Sequence, residues 1–486
     1  MTGRFKEQGA NMKVRSWREI LNAAAGPAVR IAACTFFAAI SGAALPSSLA
    51  AQDSPSPVPL TLKQAVAIAL EKNPQRKAVL ADTKAAASDV HVARSFLLPR
   101  VTLSEVATRG NDPVYVFGTK LRQQRFSSLD FALNTLNTPP PLGNFSTRIG
   151  GSWTLFDSFA SWRSLNRAER VKEAVEHELE STDQDVEYRV IETYFGALLA
   201  KTKVEVAELS LKTAQAIVER SKNRYETGVI VESDYLSAQV RAASRQQELI
   251  RAQNSLALAR AQLSTAIGLS GQAEYVPADD LSERTLPPLK LEDVEQKAMT
   301  SRPDLRRIRS SEAAQQQNVA IAKSAFGPRV NAFAGWEADN PTFAAGGGGN
   351  NWLAGIEVQF DLFQGGAKRA HLARERATQE KLGALEEAAR DAVRLEVRRA
   401  YYDMDAAKQQ IEVARLAIAE SRESLRVNQN RYDAGLSTIT ELLAADEAAR
   451  LTQTNYWEAL CRYYTGYAAL ELASGTLNAQ SPVVTP

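Results

Sequence analysis

Apolar and small residues recur at alternating steps of three and four along two stretches of the chain, a pattern that predicts two long amphipathic helices. The seam of the C-terminal stretch is Val397, Ala400, Met404, Ala407, Ile411, Ala414, Ile418, Ser421 and Leu425. The seam of the earlier stretch is Val190, Thr193, Ala197, Ala200, Val204, Ala207, Leu211, Ala214 and Val218. Each position of one seam lies 207 residues from its counterpart in the other, so the chain contains an internal duplication.

Both predicted helices end in the same motif, Arg-Tyr followed three residues later by Gly. Gly228 and Gly435 lie 207 residues apart and supply the residue that best adopts a left-handed C-cap. They are therefore predicted to form the turns of two helical hairpins. The long helices are predicted to run from about Ser158 to Tyr225 and from about Gly365 to Tyr432. At 1.5 Å per residue each would measure roughly 100 Å, so their apolar seams must contact other helices.

Before each long helix the hydrophobic period changes from 3.5 to two, which predicts β-strands. Two further strands, beginning at Arg100 and Arg329, are predicted to enter the preceding loops. The alternating segments place apolar residues on one face and polar or small residues on the other. The predicted lipid-facing residues are Phe145, Ile149, Trp153, Trp352, Ile356, Val358 and Phe360.

The helices upstream of the strands repeat with a shift of 229 instead of 207, as Pro74 and Pro303 show. The difference of 22 residues predicts a longer surface loop in the first repeat, from about Gly110 to Asn144. The predicted segments are a signal peptide (1–50), a lead segment (51–59), a first repeat (60–271), a linker (272–290), a second repeat (291–477) and a loose C-terminal tail (478–486).

The N-terminus is typical of an exported protein. Basic residues precede an apolar run from Ile31 to Leu45, and cleavage is predicted after Ala50. A lipoprotein signal at Cys34 is an alternative, but Arg30 lies where the apolar core of such a signal should be. After cleavage only Cys461 remains, so no intrachain disulfide can form, and a buried position on a helix is expected for it.

Charge and hydropathy narrow the class of protein further. The chain has 58 Lys and Arg against 56 Asp and Glu, with no basic stripe, which argues against nucleic acid as a partner. The mature chain has no run of about 18 apolar residues, so an exported protein of this kind is either soluble or crosses a membrane as a closed β-barrel. Four strands cannot close a barrel, so several copies must share one, and eight, twelve or sixteen strands all satisfy this argument.

No pattern of catalytic or metal-binding residues is evident in the sequence. His91, His177 and His371 are isolated, and the His371 and Glu375 pair lacks a third ligand. No paired carboxylates, Ser-His-Asp set or phosphate loop is found. We therefore expect no enzymatic activity, no metal and no cofactor.

Several motifs taken together resemble the TolC family of outer-membrane efflux proteins. They are the duplicated helix-strand-strand-helix order, the two helix stops, the strand ends Leu155-Phe156-Asp157 and Leu362-Phe363-Gln364, and the closing Gly475-Thr476-Leu477-Asn478. The resemblance extends over nearly all of Leu60 to Asn478. It implies a mainly α fold with a small transmembrane β part, in which four strands per chain complete the twelve-stranded outer-membrane barrel of a homotrimer.

The resemblance also implies a function and partners. The trimer would continue as an α-helical barrel across the periplasm and meet an inner-membrane pump through a periplasmic adaptor protein. It would be the exit duct of a tripartite efflux or type I secretion system and would perform no chemistry on its cargo, whose identity stays open. A soluble periplasmic coiled-coil adaptor is the rival interpretation. It would need a β-rich lipoyl-like domain between the helices, which the sequence lacks.

The family's periplasmic gate, carried over to this chain, lies at the two tight turns. Tyr432 matches the gate tyrosine, Asp234 its acidic partner and Glu441 one ring acid, with Tyr225 as a further candidate. Ser437 and Ala444 depart from the family pattern, where an arginine and a second acid are expected.

Each gate candidate also has a structural interpretation. Thr438 and Glu441 match a capping box, and Asp234 suits the positive end of a helix dipole. Both tyrosines could pack within the helical hairpins, and we favour this for Tyr225.

Overall fold

The computed structural model describes residues 58–269, 275–343 and 348–485. The predicted signal peptide, Cys34 and the lead segment up to residue 57 lie outside the described residues, as do 270–274, 344–347 and 486.

The two repeats contain the same succession of long elements, with an insertion in the first. The first repeat contains β1 (Val58–Leu60), α1 (Leu62–Lys72), α2 (Pro74–Ser95), β2 (Arg100–Gly110), α3 (Pro113–Arg122), a 3-10 turn (Ser128–Phe131), α4 (Leu133–Asn137), β3 (Leu142–Phe156), α5 (Ala160–Glu226) and α6 (Glu232–Ile267). The second contains β4 (Tyr275–Pro277), α7 (Leu291–Ser301), α8 (Pro303–Ser324), β5 (Arg329–Asn340), β6 (Gly349–Gln359), α9 (Ala367–Asp433) and α10 (Ile439–Ala473). The long helices α5 and α9 have 67 residues each, and both begin and end within two residues of the predicted positions.

Two shorter helices run beside each long helix and meet end to end. The helices α2 and α6 pack against α5, while α8 and α10 pack against α9. A Cβ atom added to Gly268, after α6, would lie 2.9 Å from the Cα of Asn73, which precedes α2. A Cβ atom added to Gly475, after α10, would lie 2.7 Å from the Cα of Arg302, which precedes α8. In each repeat, two shorter helices placed end to end therefore run along one long helix. The helix α5 also contacts α8 and α10, so it joins the two repeats.

Four strands form one antiparallel sheet in the order β2-β3-β5-β6. Each repeat contributes one hairpin, and the pairing of β3 with β5 joins the two hairpins. The strands β2 and β6 are the free edges of this sheet. The short strands β1 and β4 form a separate parallel pair.

The main core lies around the middle of α5, where Val190, Ile191 and Tyr194 are almost fully buried. The predicted seam of α9 is also buried at most of its positions, among them Val397, Met404 and Ile411. The predicted loose tail is wrong for the described residues 478–485. Val483 and Val484 insert into the main core, since two adjacent apolar side chains offset the polar composition around them.

The predicted surface loop between Gly110 and Asn144 is partly helical. Asp112 caps α3 by accepting a hydrogen bond from the Tyr115 amide at 2.8 Å, and Pro113 occupies the first turn. Within the described residues, no helix is long and apolar enough to span a membrane.

Candidate functional site

The two helical hairpins turn through the same backbone motif. Gly228 and Gly435 both adopt left-handed conformations, with φ of +74° and +73°. In each turn the residue after the glycine donates its amide hydrogen to the carbonyl five residues earlier, at 2.8 Å. The glycine amide itself bonds three residues back, at 2.9 and 3.0 Å. These are two copies of the Schellman motif, and they confirm the left-handed C-cap predicted at Gly228 and Gly435.

Tyr432 lies inside the junction between the two hairpins and is only 3% exposed. It packs against Ile217 of the first hairpin and Leu442 of the second. Its hydroxyl lies 3.2 Å from the hydroxyl of Ser221. The guanidinium of Arg224 lies 4.9 Å from the centre of the Tyr432 ring and also donates a hydrogen bond to the Tyr432 carbonyl. Tyr432 therefore joins the two hairpins of one chain.

Tyr225, the counterpart of Tyr432 in the first repeat, lies on the surface and is 39% exposed. Its ring stacks on that of Tyr235 at 5.9 Å, with an angle of 7° between the rings. This contact lies within the first hairpin, where the sequence favoured packing for Tyr225. The same turn motif thus presents one tyrosine to the interior and the other to the surface.

The two acidic gate candidates lie in the first turns of α6 and α10. No hydrogen bond between Asp234 and Tyr432 is found within the described chain. The exposed carboxylate of Glu441 accepts a hydrogen bond from the Ser437 hydroxyl at 2.5 Å. Thr438 caps the Glu441 amide at 3.3 Å, so only the threonine half of the predicted capping box forms. The proposed gate role of both acids stays a prediction.

A buried charge network farther from the turns was not predicted from the sequence. Arg245 of α6 is 1% exposed and donates hydrogen bonds to Asp446 at 3.1 Å and to Glu447 at 2.6 Å, both on α10. Burial alone would raise the pKa of Glu447, but hydrogen bonds from Arg450 and Arg245 lower it to about 2. The network fixes α6 to α10. Its partners are about 200 residues apart in sequence, and no short motif marks them.

Strand register places the predicted lipid-facing residues on one face of the sheet. Ile149 pairs with Trp336, which in turn pairs with Trp352. Trp153, Ile356, Phe145 and Val358 share this face because residues two apart along a strand point the same way. Their contact with lipid stays a prediction.

Phe360 is a correction to the predicted strand residues. The strand β6 ends at Gln359, so Phe360 lies one residue beyond it, although its side chain is exposed.

The opposite face of the sheet is the more polar one. Glu337 accepts hydrogen bonds from Ser146 at 2.5 Å and from Arg148 at 2.8 Å. The insertion of the first repeat folds onto this face through Gln123, which follows α3. Its side-chain amide donates to Asn144 at 2.8 Å, and Asn144 donates to the fully buried Asp339 at 2.6 Å.

The remaining candidate chemistry has structural partners. Glu375, the neighbour of His371, accepts hydrogen bonds from Gln315 and Arg374. No group of three His, Cys, Asp or Glu side chains is placed to hold a metal in the part of the chain that the structure describes. Burial raises the pKa of the Cys461 thiol to about 11, and the thiol is free.

Comparison with known proteins decides the family. The sequence profile described as outer membrane efflux protein matches residues 65–269 and 294–476, one segment in each repeat. The chain belongs to the outer membrane efflux protein family. Membership confirms the predicted family and the outer-membrane location, and it assigns the chain to efflux.

Two curated relatives match along most of their length. The alkaline protease secretion protein AprF of Pseudomonas aeruginosa is 23% identical over 424 residues, covering 85% of this chain and 83% of that protein. The outer membrane protein TolC of Vibrio cholerae is 25% identical over 426 residues, covering 85% of this chain and 90% of that protein.

Solved structures confirm the predicted fold class. A crystal structure of a membrane protein from Pseudomonas aeruginosa matches with a TM-score of 0.74 and 18% identity, covering 85% of this chain and 92% of that chain. The outer membrane protein VceC of Vibrio cholerae matches with a TM-score of 0.71 and 20% identity, covering 85% of this chain and 96% of that chain. Likeness at this level of identity shows the fold, which the outer membrane efflux protein family shares.

Proposed function

We propose that three copies of this chain close head to tail into one duct, which carries solutes out through the outer membrane without chemical change. A periplasmic adaptor protein and an inner-membrane pump would deliver the cargo to its helical end. The observation that carries the proposal is that both layers of a single chain end in free edges on the same two sides.

The sheet supplies the first pair of edges. The strands β2 and β6 each have a neighbour on one side only, so the half of their backbone groups that points outward lacks a strand partner. Such groups cost several kcal/mol each in lipid. Pairing β6 of one copy with β2 of the next satisfies them and closes a barrel.

The helices supply the second pair of edges. The helix α5 lies between α6 and α10, and α10 lies between α5 and α9, which leaves α6 and α9 on the outside. Both outer helices carry exposed apolar stripes. The stripe of α6 comprises Leu236, Val240, Ile250 and Leu258, and that of α9 comprises Leu395, Tyr402, Val413 and Leu416. Two such stripes bury each other when α9 of one copy meets α6 of the next.

The edges of the sheet and the edges of the helical layer lie on corresponding sides of the chain. The strand β6 leads directly into α9, and β2 belongs to the repeat that ends in α6. Pairing β6 with β2 and α9 with α6 of the next copy therefore builds the same ring. Arg224 and Tyr432 hold the hairpins of each copy together at the turns, and the Arg245 network does so farther along the helices. Neither Asp234 nor Glu441 forms an ion pair within the described chain, so both acids can contact neighbouring copies, which supports a gate at this end of the duct.

The ring is tested by cross-linking Ile250→Cys with Leu416→Cys. Counted from the turns, these positions lie about 27 and 26 Å along their helices, so the two thiols of neighbouring copies should meet. Mild oxidation of outer membranes should give a ladder of covalent species ending at three copies. Ile250→Cys with Tyr402→Cys is the matched control, because its positions differ in height by about 20 Å. Monomers alone from the first pair, or equal ladders from both, would refute the proposed interface.

A further inference from the structure

The C-terminal segment 478–485 is a docked structural element. Ser481, Val483 and Val484 are buried, and the Val484 amide bonds to the Ser481 carbonyl at 2.8 Å. Just before the segment, the Gly475 carbonyl accepts a hydrogen bond from Gln184 of α5 at 3.0 Å. The segment thus connects the last helix of the second repeat with the long helix of the first.

Two carboxyl groups lie beneath this segment. Glu187 of α5 is 5% exposed, and Glu471 of α10 is 9% exposed. The Ala479 backbone lies near the Glu187 carboxyl and the Ser481 side chain lies near the Glu471 carboxyl, so the segment covers both groups. The two carboxyls are close enough to repel each other when both are charged.

No cation compensates these two carboxyls. Neither forms an ion pair within the described chain, and Oε2 of Glu471 is buried without a hydrogen-bond partner. The surrounding titratable groups add negative charge or none. Asp183 lies one helical turn before Glu187 and is paired with Arg76 of α2 at 2.6 Å, while the buried Tyr467 faces Glu471. The described part of the segment contributes no titratable side chain.

Burial, with the added repulsion of Asp183, raises the pKa of Glu187 to about 7. Burial also raises the pKa of Glu471 to about 7. A carboxyl of this kind stays protonated to a higher pH while the segment covers it, and it ionises more readily once the segment leaves.

We propose that segment 478–485 is a proton-controlled strap, docked across α5 and α10 when Glu187 and Glu471 are protonated and loosened when both ionise. Because the two groups bind protons more tightly under the docked strap, docking is strongest at pH below about 4.5. It weakens as the pH rises from there to about 7, and stays weak above. The strap lies away from the turns, so it would respond to periplasmic pH independently of the gate and of the proposed ring.

The strap is tested by hydrogen exchange on the purified full-length protein in detergent. Protection factors of the amides in 478–485 are measured at pH 5 and pH 8. A protection factor is taken relative to the intrinsic exchange rate at the same pH, so the intrinsic pH dependence of exchange cancels. In the wild type they should fall by at least about tenfold between the two values. Equal protection at both would overturn the proposal.

Variants separate the carboxyls from other sources of pH dependence. Glu187→Gln with Glu471→Gln keeps both side chains neutral at nearly the same size, so protection should stay high at pH 5 and pH 8. Glu178→Gln, an exposed position on the same helix, should behave as the wild type. A wild-type pH response in the double variant would assign the effect to other groups and refute the strap as proposed.

Discussion

Two helices meet end to end at two places in the chain, α6 with α2 in the first repeat and α10 with α8 in the second. The two joints bring the backbones similarly close but are capped by different side chains. In the first repeat, Asn73 caps both helices at once. Its Nδ2 donates to the Ala266 carbonyl at the end of α6 at 3.0 Å, and its Oδ1 accepts the Gln75 amide at the start of α2 at 2.8 Å. In the second repeat, Arg302 donates to the corresponding Ala473 carbonyl at 3.2 Å.

Arg302 needs more partners than Asn73 because it brings a charge into the joint. It forms a two-bond pair with Asp304, with both distances 2.9 Å, and it also contacts Glu396 of α9 at 2.6 Å. The glycines that permit the close approach, Gly268 and Gly475, are common to both joints and have φ of +84° and +70°. The comparison teaches that the duplication has kept the backbone path while the side chains that cap it diverged.

The largest expected effect is the loss of the shared glycines. Gly268→Ala or Gly475→Ala forces a left-handed alanine whose Cβ lies within 3 Å of neighbouring backbone. We expect each to lower the free energy of unfolding by about 2–4 kcal/mol, measured by thermal denaturation of the purified protein. Gly365→Ala is the control, because it has φ of +58° but open space around it, and about 1–2 kcal/mol is expected. Equal losses of stability in the three variants would mean that the close approach of the two helix ends does not contribute to the cost.

An intermediate effect should distinguish the two caps. Arg302→Ala leaves Asp304 and Glu396 without their cation and should cost about 3 kcal/mol. Asn73→Ala removes neutral caps only and should cost about 1–2 kcal/mol. Denaturation at low and high salt provides a second readout, since only the Arg302 variant should change its cost with ionic strength. A larger cost for Asn73→Ala would reverse our ranking of the joints.

The smallest expected effect concerns the two turns. Tyr432→Phe removes the contact with Ser221 inside the hairpin junction and should cost about 1 kcal/mol. Tyr225→Phe acts on an exposed ring and should cost less than about 0.5 kcal/mol. If Tyr432 also helps to close the pore, its variant should raise single-channel conductance in planar bilayers while Tyr225→Phe leaves it unchanged. The opposite order would assign the gate role to Tyr225.

Repetition made the long elements predictable. The shift of 207 links both long helices and both glycine turns, and these helices end within two residues of their predicted ends. The alternating pattern also predicted β3, β6 and the shared face of Ile149 and Trp352, because the side-chain period of a strand is two.

Contacts between distant residues were not predictable in the same way. Arg245 meets Asp446 and Glu447 across about 200 residues, and its counterpart in the second repeat is Thr452, so the duplication gives no hint of the network. The tail was misjudged because its Ser, Pro and Asn residues hide the one apolar pair that inserts into the core.

The shift of 207 residues could also have predicted one unusual backbone conformation, at the start of α5. Ser158 and Phe159 adopt left-handed conformations, with φ of +56° and +69°, where the second repeat has Gly365 and Gly366. The Ser158 hydroxyl donates to the Pro328 carbonyl at 2.9 Å, and the Phe159 ring lies 5.5 Å from that of Phe156. These contacts offset a backbone that costs about 1–2 kcal/mol per residue. The paired glycines could have revealed this conformation.

The burial of Cys461 has a practical consequence for spectroscopy. Because its thiol is buried with a pKa near 11, it is almost entirely uncharged at neutral pH and should react slowly with maleimides or spin labels. In the part of the chain that the structure describes, it is the one native cysteine. A reporter group attached to an introduced surface cysteine should therefore carry nearly all of the signal, without replacing the native residue.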